Sequence, residues 1–231
     1  MKISRNLSGR IGWALDNLLP PVLRDSAWFM RPAMWLLFRD KTDNFMRFKE
    51  RAPLLDRNEL LDYYRTTAEV HLDRSTDLTP QIIERILCDL IGERILDIAC
   101  GKGFLSAEIA RRTGKNVTGM DFIAPAQSFE QRLCFRQGAI EKIDCADNSF
   151  DTVVSAHTLE HVVDIERAIA ELRRVARQRL IVVVPRQRNY RYTFDLHIRF
   201  FQYPHDLQLL MKNSQGKVCL LGNDLYYCED L

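Results

Sequence analysis

The stretch Arg94-Ile95-Leu96-Asp97-Ile98-Ala99-Cys100-Gly101-Lys102-Gly103-Phe104 decides the fold of this chain. It begins with an apolar run, which is typical of a strand buried on both faces of a parallel sheet. A loop of small residues follows, and its glycines permit positive φ and let a ligand approach the backbone. A helical pattern of apolar residues begins after the loop. The order strand, glycine loop and helix predicts the opening of a nucleotide-binding βαβ unit.

Two acids near this unit indicate which kind of ligand the loop binds. The phosphate-loop pattern fails because Gly101-Lys102 is followed by glycine, and the dinucleotide pattern Gly-x-Gly-x-x-Gly fits only in part. Asp97, just before the loop, would repel a pyrophosphate but suits a ligand with an ammonium group, such as S-adenosylmethionine. Asp121 lies about 20 residues beyond the loop, at the spacing expected for a carboxylate that binds ribose hydroxyls.

Four ordered motifs resemble those of the class I S-adenosylmethionine-dependent methyltransferases. Residues 96–103 (LDIACGKG) resemble motif I, and residues 119–121 (GMD) resemble motif II. Residues 138–151 (GAIEKIDCADNSFD) resemble the segment after the third strand of that family, and residues 153–162 (VVSAHTLEHV) resemble its fourth strand and exit. The subgroup that the chain most resembles methylates small molecules, as the ubiquinone and menaquinone methyltransferases do.

The resemblance implies a cofactor site for S-adenosylmethionine. Asp97 would face the methionine ammonium, Asp121 would hold the ribose, and Phe122 would cover the adenine, although Asp97 as a turn cap and Phe122 as a core residue are alternatives. The family often has Asp at the position of Ala139, so one hydrogen bond to the adenine, worth about 1 kcal/mol, is lost here. The residues implied for cofactor binding are Asp97, Ala99, Cys100, Gly101, Gly103, Asp121, Phe122, Ala139, Ile140 and His157.

Two histidines are the candidate catalytic residues. His157 follows the fourth strand, next to the expected position of the transferred methyl group, and His161 lies one helical turn further. A base is required only if the acceptor arrives protonated, so His157 either lines the pocket or takes a proton, and His161 is a base or a structural hydrogen-bonder. Many amino methyltransferases have Asn/Asp-Pro-Pro-Tyr here, and its replacement by residues 155–158 (SAHT) disfavours adenine-amino and glutamine-amide acceptors.

A segment rich in arginine and aromatic residues, 186–205, follows the last predicted parallel strand. Folds of this class bind ligands at that edge of the sheet. We therefore predict that part of the segment holds an anionic or glycan-like acceptor, with a solvated, packed loop as the alternative. The residues predicted to bind the substrate are Arg188, Tyr190, Arg191, Tyr192, His197 and Arg199.

The pattern outside the motifs predicts the overall architecture. Alternating strands and helices favour an α/β fold with a doubly wound, mainly parallel sheet, a C-terminal antiparallel hairpin and an N-terminal helical extension. We assign residues 1–79 to the extension or cap and residues 80–231 to the class I methyltransferase domain. Predicted strands cover 95–98, 116–121, 133–136, 150–156 and 180–184, and the hairpin covers 217–221 and 225–229. Predicted helices cover 45–65 with a break at Pro53, 80–91, 104–112, 124–131 and 164–177.

The N-terminal extension contains an aromatic segment between Trp28 and Phe38, flanked by arginines. This composition is typical of an interfacial helix that makes peripheral membrane contact, and equally of a helix packed on the domain as a cap. The chain contains no run of about 18 apolar residues, so we predict neither a signal peptide nor a transmembrane span.

Composition narrows the partners further. A net charge of +2 gives no electrostatic footprint for nucleic acid. Six cysteines without a C-x-x-C pair indicate neither a disulfide framework nor a metal site, and reduced thiols favour a cytoplasmic location. Together with the resemblance of the four motifs, these observations predict a cytoplasmic transferase that methylates a small-molecule acceptor. A nicotinamide-dependent Rossmann oxidoreductase and a binding protein with a degenerate methyltransferase fold are the alternatives.

Overall fold

The structure, a computed structural model, describes residues 18–68, 76–123, 125, 131–192 and 195–231. The chain separates into two compact units. The helical unit comprises Met1–Arg74 and Gln187–Phe200, and the sheet unit comprises Ser75–Arg186 and Phe201–Leu231. The sequence pattern assigned all of residues 80–231 to one domain, whereas the packing groups Gln187–Phe200 with the N-terminal helices.

Four α-helices form the described part of the helical unit. They are α1 (Pro21–Arg24), α2 (Ala27–Phe38), α3 (Thr42–Arg51) and α4 (Arg57–Ala68). Helix α2 buries Met30, Met34 and Phe38, which share one face because they are four residues apart. The Phe38 ring stacks on Phe45 of α3 with centroids 3.7 Å apart. The predicted break at Pro53 is confirmed by the 3₁₀ turn Ala52–Leu54, which separates α3 from α4.

A seven-stranded sheet forms the centre of the sheet unit, with the order β3-β2-β1-β4-β5-β7-β6. Its first five strands are parallel, whereas β7 runs antiparallel to β5 and β6 antiparallel to β7. The predicted doubly wound, mainly parallel sheet with a terminal hairpin is therefore confirmed. The strands are β1 (Arg94–Ile98), β2 (Asn116–Asp121), β3 (Leu133–Gln137), β4 (Phe150–Ala156), β5 (Ala176–Pro185), β6 (Lys217–Leu221) and β7 (Asp224–Asp230). The helices are α5 (Pro80–Asp89), α6 (Phe104–Thr113), α7 (Ile165–Val175) and α8 (Pro204–Met211).

The two faces of the sheet bury separate hydrophobic clusters. Along β1, Leu96 belongs to the cluster that includes residues of α7 and α8, while Ile95 belongs to the cluster that includes residues of α5 and α6. Val153 and Val154 of β4 alternate in the same way, as the period of two in a strand requires. Each fully buried aliphatic side chain contributes about 1.5–3 kcal/mol to folding.

The beginning of β5 differs from the prediction. The sequence predicted helix to residue 177 and strand from 180, but α7 ends at Val175 and β5 begins at Ala176. The strand begins with charged residues, so its first part lacks the apolar run that predicts a buried strand. In the structure, Arg179 donates to Asp230 of β7 at 2.8 Å and to the Asp89 carbonyl at 2.6 Å. The predicted helix over 124–131 lies almost entirely outside the described residues.

The sheet brings several chain segments to one edge. The parallel strands β1, β2, β4 and β5 all end at this edge, so the loops that follow them lie near one another. Strand β7 runs in the opposite direction and therefore begins there, and its first residue, Asp224, pairs with Pro185 at the end of β5. We call this the carboxyl edge.

Candidate active site

The glycine loop after β1 combines a tight approach to the sheet with an open surface. Gly101 and Gly103 have φ of 55° and 79°, in the left-handed region. A Cβ at Gly103 would lie 2.3 Å from the ring of Phe135 on β3, so a side chain there collides with the sheet. A Cβ at Gly101 would meet nothing within 4 Å. The backbone at Gly101 therefore faces open space in which a ligand can lie against it.

Asp97 is a buried acid directly before this loop. The residue is 2 % exposed, and its Oδ2 accepts a hydrogen bond from Ser106 Oγ at 2.6 Å. Burial raises the pKa of Asp97 to about 7, although the bond from Ser106 opposes this. A nearby cation would restore the charged form, because an opposite charge favours ionisation of a carboxyl. Asp97 is therefore suited to bind the ammonium group of a ligand that lies against the loop.

Asp121, the last residue of β2, is linked to the loop by a hydrogen bond. Its Oδ2 accepts from the Gly101 N–H at 2.8 Å, and its Oδ1 accepts from the Ile123 N–H at 3.1 Å. Burial raises the pKa of Asp121, and these backbone donors oppose the rise. Each carboxylate oxygen can accept more than one hydrogen bond, so the group can also hold two hydroxyls of a ligand.

The predicted adenine contacts lie beyond β2 and β3. Phe122 is half-buried, and its carbonyl accepts from Gln137 Nε2 at 3.0 Å. Ala139 and Ile140 are buried, and the Ala139 carbonyl accepts from the Lys142 N–H at 3.1 Å. The contact of these residues with an adenine stays a prediction.

His157 lies at the carboxyl edge in a conformation that is unusual for a residue other than glycine. Its φ is 52°, and its N–H donates to the Val183 carbonyl at 2.8 Å. Nε2 lies 3.2 Å from Asp224 Oδ1 without meeting the geometry of a hydrogen bond, so we treat the contact as electrostatic. Burial lowers the pKa of His157, but the charges of Asp224, Glu160 and Asp77 outweigh burial and raise it.

Two acids of this cluster were not predicted as site residues. Glu160 lies in the 3₁₀ turn Leu159–His161 and is 1 % exposed; within the described part of the chain, neither carboxyl oxygen accepts a hydrogen bond. Burial raises the pKa of Glu160 to about 7. Asp224, also buried, was assigned only to a turn. No local signal identifies Asp224, because its place depends on how β7 pairs.

His161, the second candidate base, ends the same turn. Its Nε2 lies 3.9 Å from Glu160 Oε1, a longer separation than a hydrogen bond. The predicted catalytic role of His161 is not tested by this geometry.

The six predicted substrate-binding residues all lie in the helical unit. Tyr190, Tyr192 and His197 are buried, and His197 Nδ1 lies 2.6 Å from Gln187 Oε1. Arg191 makes an ion pair of 3.0 Å with Glu50. These contacts are typical of the packed alternative, and binding of an acceptor by the segment stays a prediction. Of the remaining two, Arg188 is exposed and Arg199 half-buried.

Comparison with known proteins shows which proteins part of the sheet unit is similar to. Residues 96–184 match the family model described as a methyltransferase domain. Over 89 residues the chain is 40 % identical to the ubiquinone biosynthesis O-methyltransferase of Azorhizobium caulinodans, covering 35 % of each protein. Over 122 residues it is 32 % identical to the ubiquinone/menaquinone biosynthesis C-methyltransferase of Geotalea daltonii, covering 48 % of this chain and 52 % of that protein. The matches thus span about half or less of these curated relatives.

Solved structures show the same fold. The chain superposes on the 1,6-didemethyltoxoflavin-N1-methyltransferase of Burkholderia thailandensis, bound to S-adenosylhomocysteine, with a TM-score of 0.59 and 19 % identity, covering 79 % of this chain and 88 % of that one. With the magnesium protoporphyrin IX methyltransferase of Synechocystis, also bound to S-adenosylhomocysteine, the TM-score is 0.55 and the identity 15 %, covering 76 % and 99 %. At these identities the likeness concerns the fold.

Proposed function

We propose that the chain is a class I methyltransferase that transfers a methyl group from S-adenosylmethionine to a small molecule. Its residues 96–184 match the family model described as a methyltransferase domain. The observation that supports this best is the link between Gly101 and Asp121 at 2.8 Å, beside open space at Gly101. It puts a backbone surface, a ribose-binding acid and the buried Asp97 on neighbouring strands. This set matches the ammonium and ribose of the cofactor, and its two acids disfavour a pyrophosphate.

The cofactor, when bound, supplies an electrophilic methyl carbon on a positively charged sulfur. In the proposed site, Asp97 binds the ammonium group, directly or through water, and Asp121 accepts hydrogen bonds from the ribose hydroxyls. The backbone of Ala99, Cys100, Gly101 and Gly103 lies against the methionine part and excludes water from it. Methyl transfer then depends mainly on holding the acceptor in line with the methyl–sulfur bond.

For the acceptor, we propose only a chemical class. The arginines of the segment 186–205 favour an anionic, glycan-like or lipid-linked molecule, since guanidinium groups bind carboxylates and phosphates. The near-neutral net charge disfavours a nucleic acid acceptor. The spacing of the six cysteines indicates no disulfide framework, and reduced thiols favour a cytoplasmic location.

Calorimetric titration separates the methyltransferase from the oxidoreductase alternative. We expect S-adenosylhomocysteine to bind at least about 100-fold more tightly than NAD, a difference of about 2.7 kcal/mol, because Asp97 repels the pyrophosphate. Equal or tighter binding of NAD would contradict the proposal. If S-adenosylhomocysteine does not bind, the degenerate binding protein becomes the better hypothesis.

A second proposed property, peripheral membrane contact, rests on the exposed face of α2. Trp28 is 72 % exposed and Trp35 is 55 % exposed. The Arg39 guanidinium lies 4.5 Å from the centre of the Trp35 ring, which adds a positive charge to the aromatic face. Among the described helices, none has the length and apolar character needed to span a bilayer. The face therefore suits the interfacial layer of an anionic membrane.

Sedimentation with vesicles tests this surface. We expect the wild-type chain to pellet with vesicles that contain phosphatidylserine, and Trp28→Ala/Trp35→Ala to bind at least about tenfold more weakly, because two aromatic rings no longer enter the interface. Leu209→Ala, which removes a 72 % exposed apolar side chain from α8, is the matched control. If all three proteins pellet equally, or none does, α2 is not a membrane surface.

A further inference from the structure

The edge of the sheet that holds the proposed cofactor site also assembles a histidine with three acids. The ring of His157 follows β4, Asp224 begins β7, Glu160 lies in the turn after β4, and Asp77 precedes α5. Only the antiparallel direction of β7 brings Asp224 to the edge where the parallel strand β4 ends. Three separate parts of the sheet unit thus surround one imidazole with negative charge.

The geometry of this cluster favours a positively charged imidazole. Asp224 Oδ1 lies 3.2 Å from His157 Nε2, and the Asp224 side chain is 7 % exposed. Water screens such a buried charge poorly, so its attraction for an imidazolium is strong. Glu160, fully buried, adds a second carboxyl whose oxygens accept no hydrogen bond from the described residues. A buried carboxyl without a hydrogen bond is costly, and a neighbouring positive charge offsets that cost.

The imidazole nevertheless remains accessible. The His157 side chain is 20 % exposed, whereas its Nε2 atom is buried against Asp224. A carboxylate beside Nε2 favours the tautomer with the proton on that nitrogen, which leaves Nδ1 as the basic atom. A histidine held in this way can accept a proton from a molecule at the carboxyl edge.

We propose that His157 is the catalytic base, that Asp224 is the residue that positions it, and that the acceptor is a hydroxyl of the phenol class. This inference rests on the proposed methyltransferase function. It narrows the acceptor to one that arrives protonated and must lose a proton to become a good nucleophile. When it is ionised, Glu160 contributes a second negative charge that stabilises the imidazolium.

The proposed step balances as follows. The acceptor oxygen forms a bond to the methyl carbon while the methyl–sulfur bond breaks, and its electron pair stays on sulfur to give neutral S-adenosylhomocysteine. The hydroxyl proton passes to His157 Nδ1 and later to solvent. A phenol has a pKa near that of tyrosine, about 10, close enough to that of an imidazole for this transfer to help. The absence of the Asn/Asp-Pro-Pro-Tyr motif after β4 favours oxygen over an amide or adenine amino group.

Nuclear magnetic resonance titration of the His157 Cε1–H in the protein saturated with S-adenosylhomocysteine tests the positioning. In the wild-type protein we expect a pKa above the ordinary 6.5, because the acids of the cluster outweigh burial. Asp224→Asn should lower this pKa, and Glu160→Gln should lower it less. Asp144→Asn, at an exposed acid on the loop after β3, is the matched control and should leave it unchanged. An unchanged His157 titration in both Asp224→Asn and Glu160→Gln would overturn the proposed cluster.

A methylation assay with catechol and 4-hydroxybenzoate as probes tests the acceptor class. The active base is neutral His157, so we expect the rate to rise with pH through its pKa, and Asp224→Asn to move this rise to lower pH. His157→Gln should reduce the rate by about 10²–10⁴-fold, the usual contribution of a general base. Methylation of o-phenylenediamine but of no phenol, or of no phenol in a wider panel, would overturn the hydroxyl class.

The two proposals fail in different ways. A wild-type chain that binds no S-adenosylhomocysteine contradicts the methyltransferase function itself. If Asp224→Asn binds S-adenosylhomocysteine normally and retains the wild-type pH profile, only the role of the cluster is wrong.

Discussion

Asp121→Ala is expected to weaken the binding of S-adenosylhomocysteine by at least about 100-fold. Hydrogen bonds to a charged group are worth about 1.5–3 kcal/mol each, and the proposed site assigns two of them, from the ribose hydroxyls, to this carboxylate. Alanine also removes the acceptor for the Gly101 N–H, which the carboxylate holds at 2.8 Å. The substitution therefore removes hydrogen bonds to both the ligand and the glycine loop. Calorimetric titration measures their combined effect on affinity.

Two variants separate these contributions. Asp144→Ala removes an exposed acid from the loop after β3 and should leave affinity unchanged, which controls for net charge. Asp121→Asn keeps an acceptor oxygen for the backbone but loses the charge, so its loss of affinity should fall between the wild type and alanine. Affinity in Asp121→Ala within about threefold of the wild type would mean that the ribose lies elsewhere and that this part of the proposed site is wrong.

Gly103→Ala is expected to lower the free energy of unfolding by about 3 kcal/mol. The left-handed conformation costs an alanine about 1–2 kcal/mol, since φ here is 79°. The added Cβ would also lie 2.3 Å from the Phe135 ring. That ring cannot simply move away, because it is buried and also passes within 2.6 Å of where a Cβ on Gly119 would lie. Urea unfolding followed by circular dichroism measures the change.

The chain provides a matched control for this prediction at Gly114, which follows the C-terminus of α6, the helix that begins directly after Gly103. Gly114 has φ of 67°, but a Cβ there would meet nothing within 4 Å. Gly114→Ala should therefore show only the conformational cost, about 1 kcal/mol. Equal destabilisation by the two substitutions would contradict the close approach of the loop to β3. Partial recovery of stability in Gly103→Ala/Phe135→Leu would support it.

The region that could be predicted best from the sequence is the continuous one around the glycine loop. The strand, the loop and the helix capped by Thr79 before β1 all follow from spacing within about ten residues. Thr79 Oγ1 accepts from the Ile82 N–H at 3.3 Å, as expected for a threonine directly before a helix that begins with proline. The structure also links Asp121 to Gly101, the two parts that motif order alone had placed in one site.

Prediction was weaker where the relevant partner lies far along the chain. The start of β5 was not predicted because arginines are common in the last turn of a helix. In the structure, Arg179 instead pairs with Asp230 of the neighbouring strand β7. The segment Gln187–Phe200 was assigned by chain position to the sheet domain, but it packs with the helical unit. There Lys49 donates to the Tyr190 carbonyl at 2.8 Å, and Arg24 donates to the Asn189 carbonyl at 3.1 Å.

The sequence by itself therefore determined the fold class, the glycine loop and the acids at the ends of β1 and β2. These features are encoded in short runs of sequence. The spacing of apolar residues specifies the strands, and the glycines permit the tight loop that other residues would not. Only the tertiary structure decided that Asp224 faces His157, with Glu160 buried beside them. The reason is that a strand's direction and register are set by pairing across the whole sheet, which no local pattern in 224–230 records.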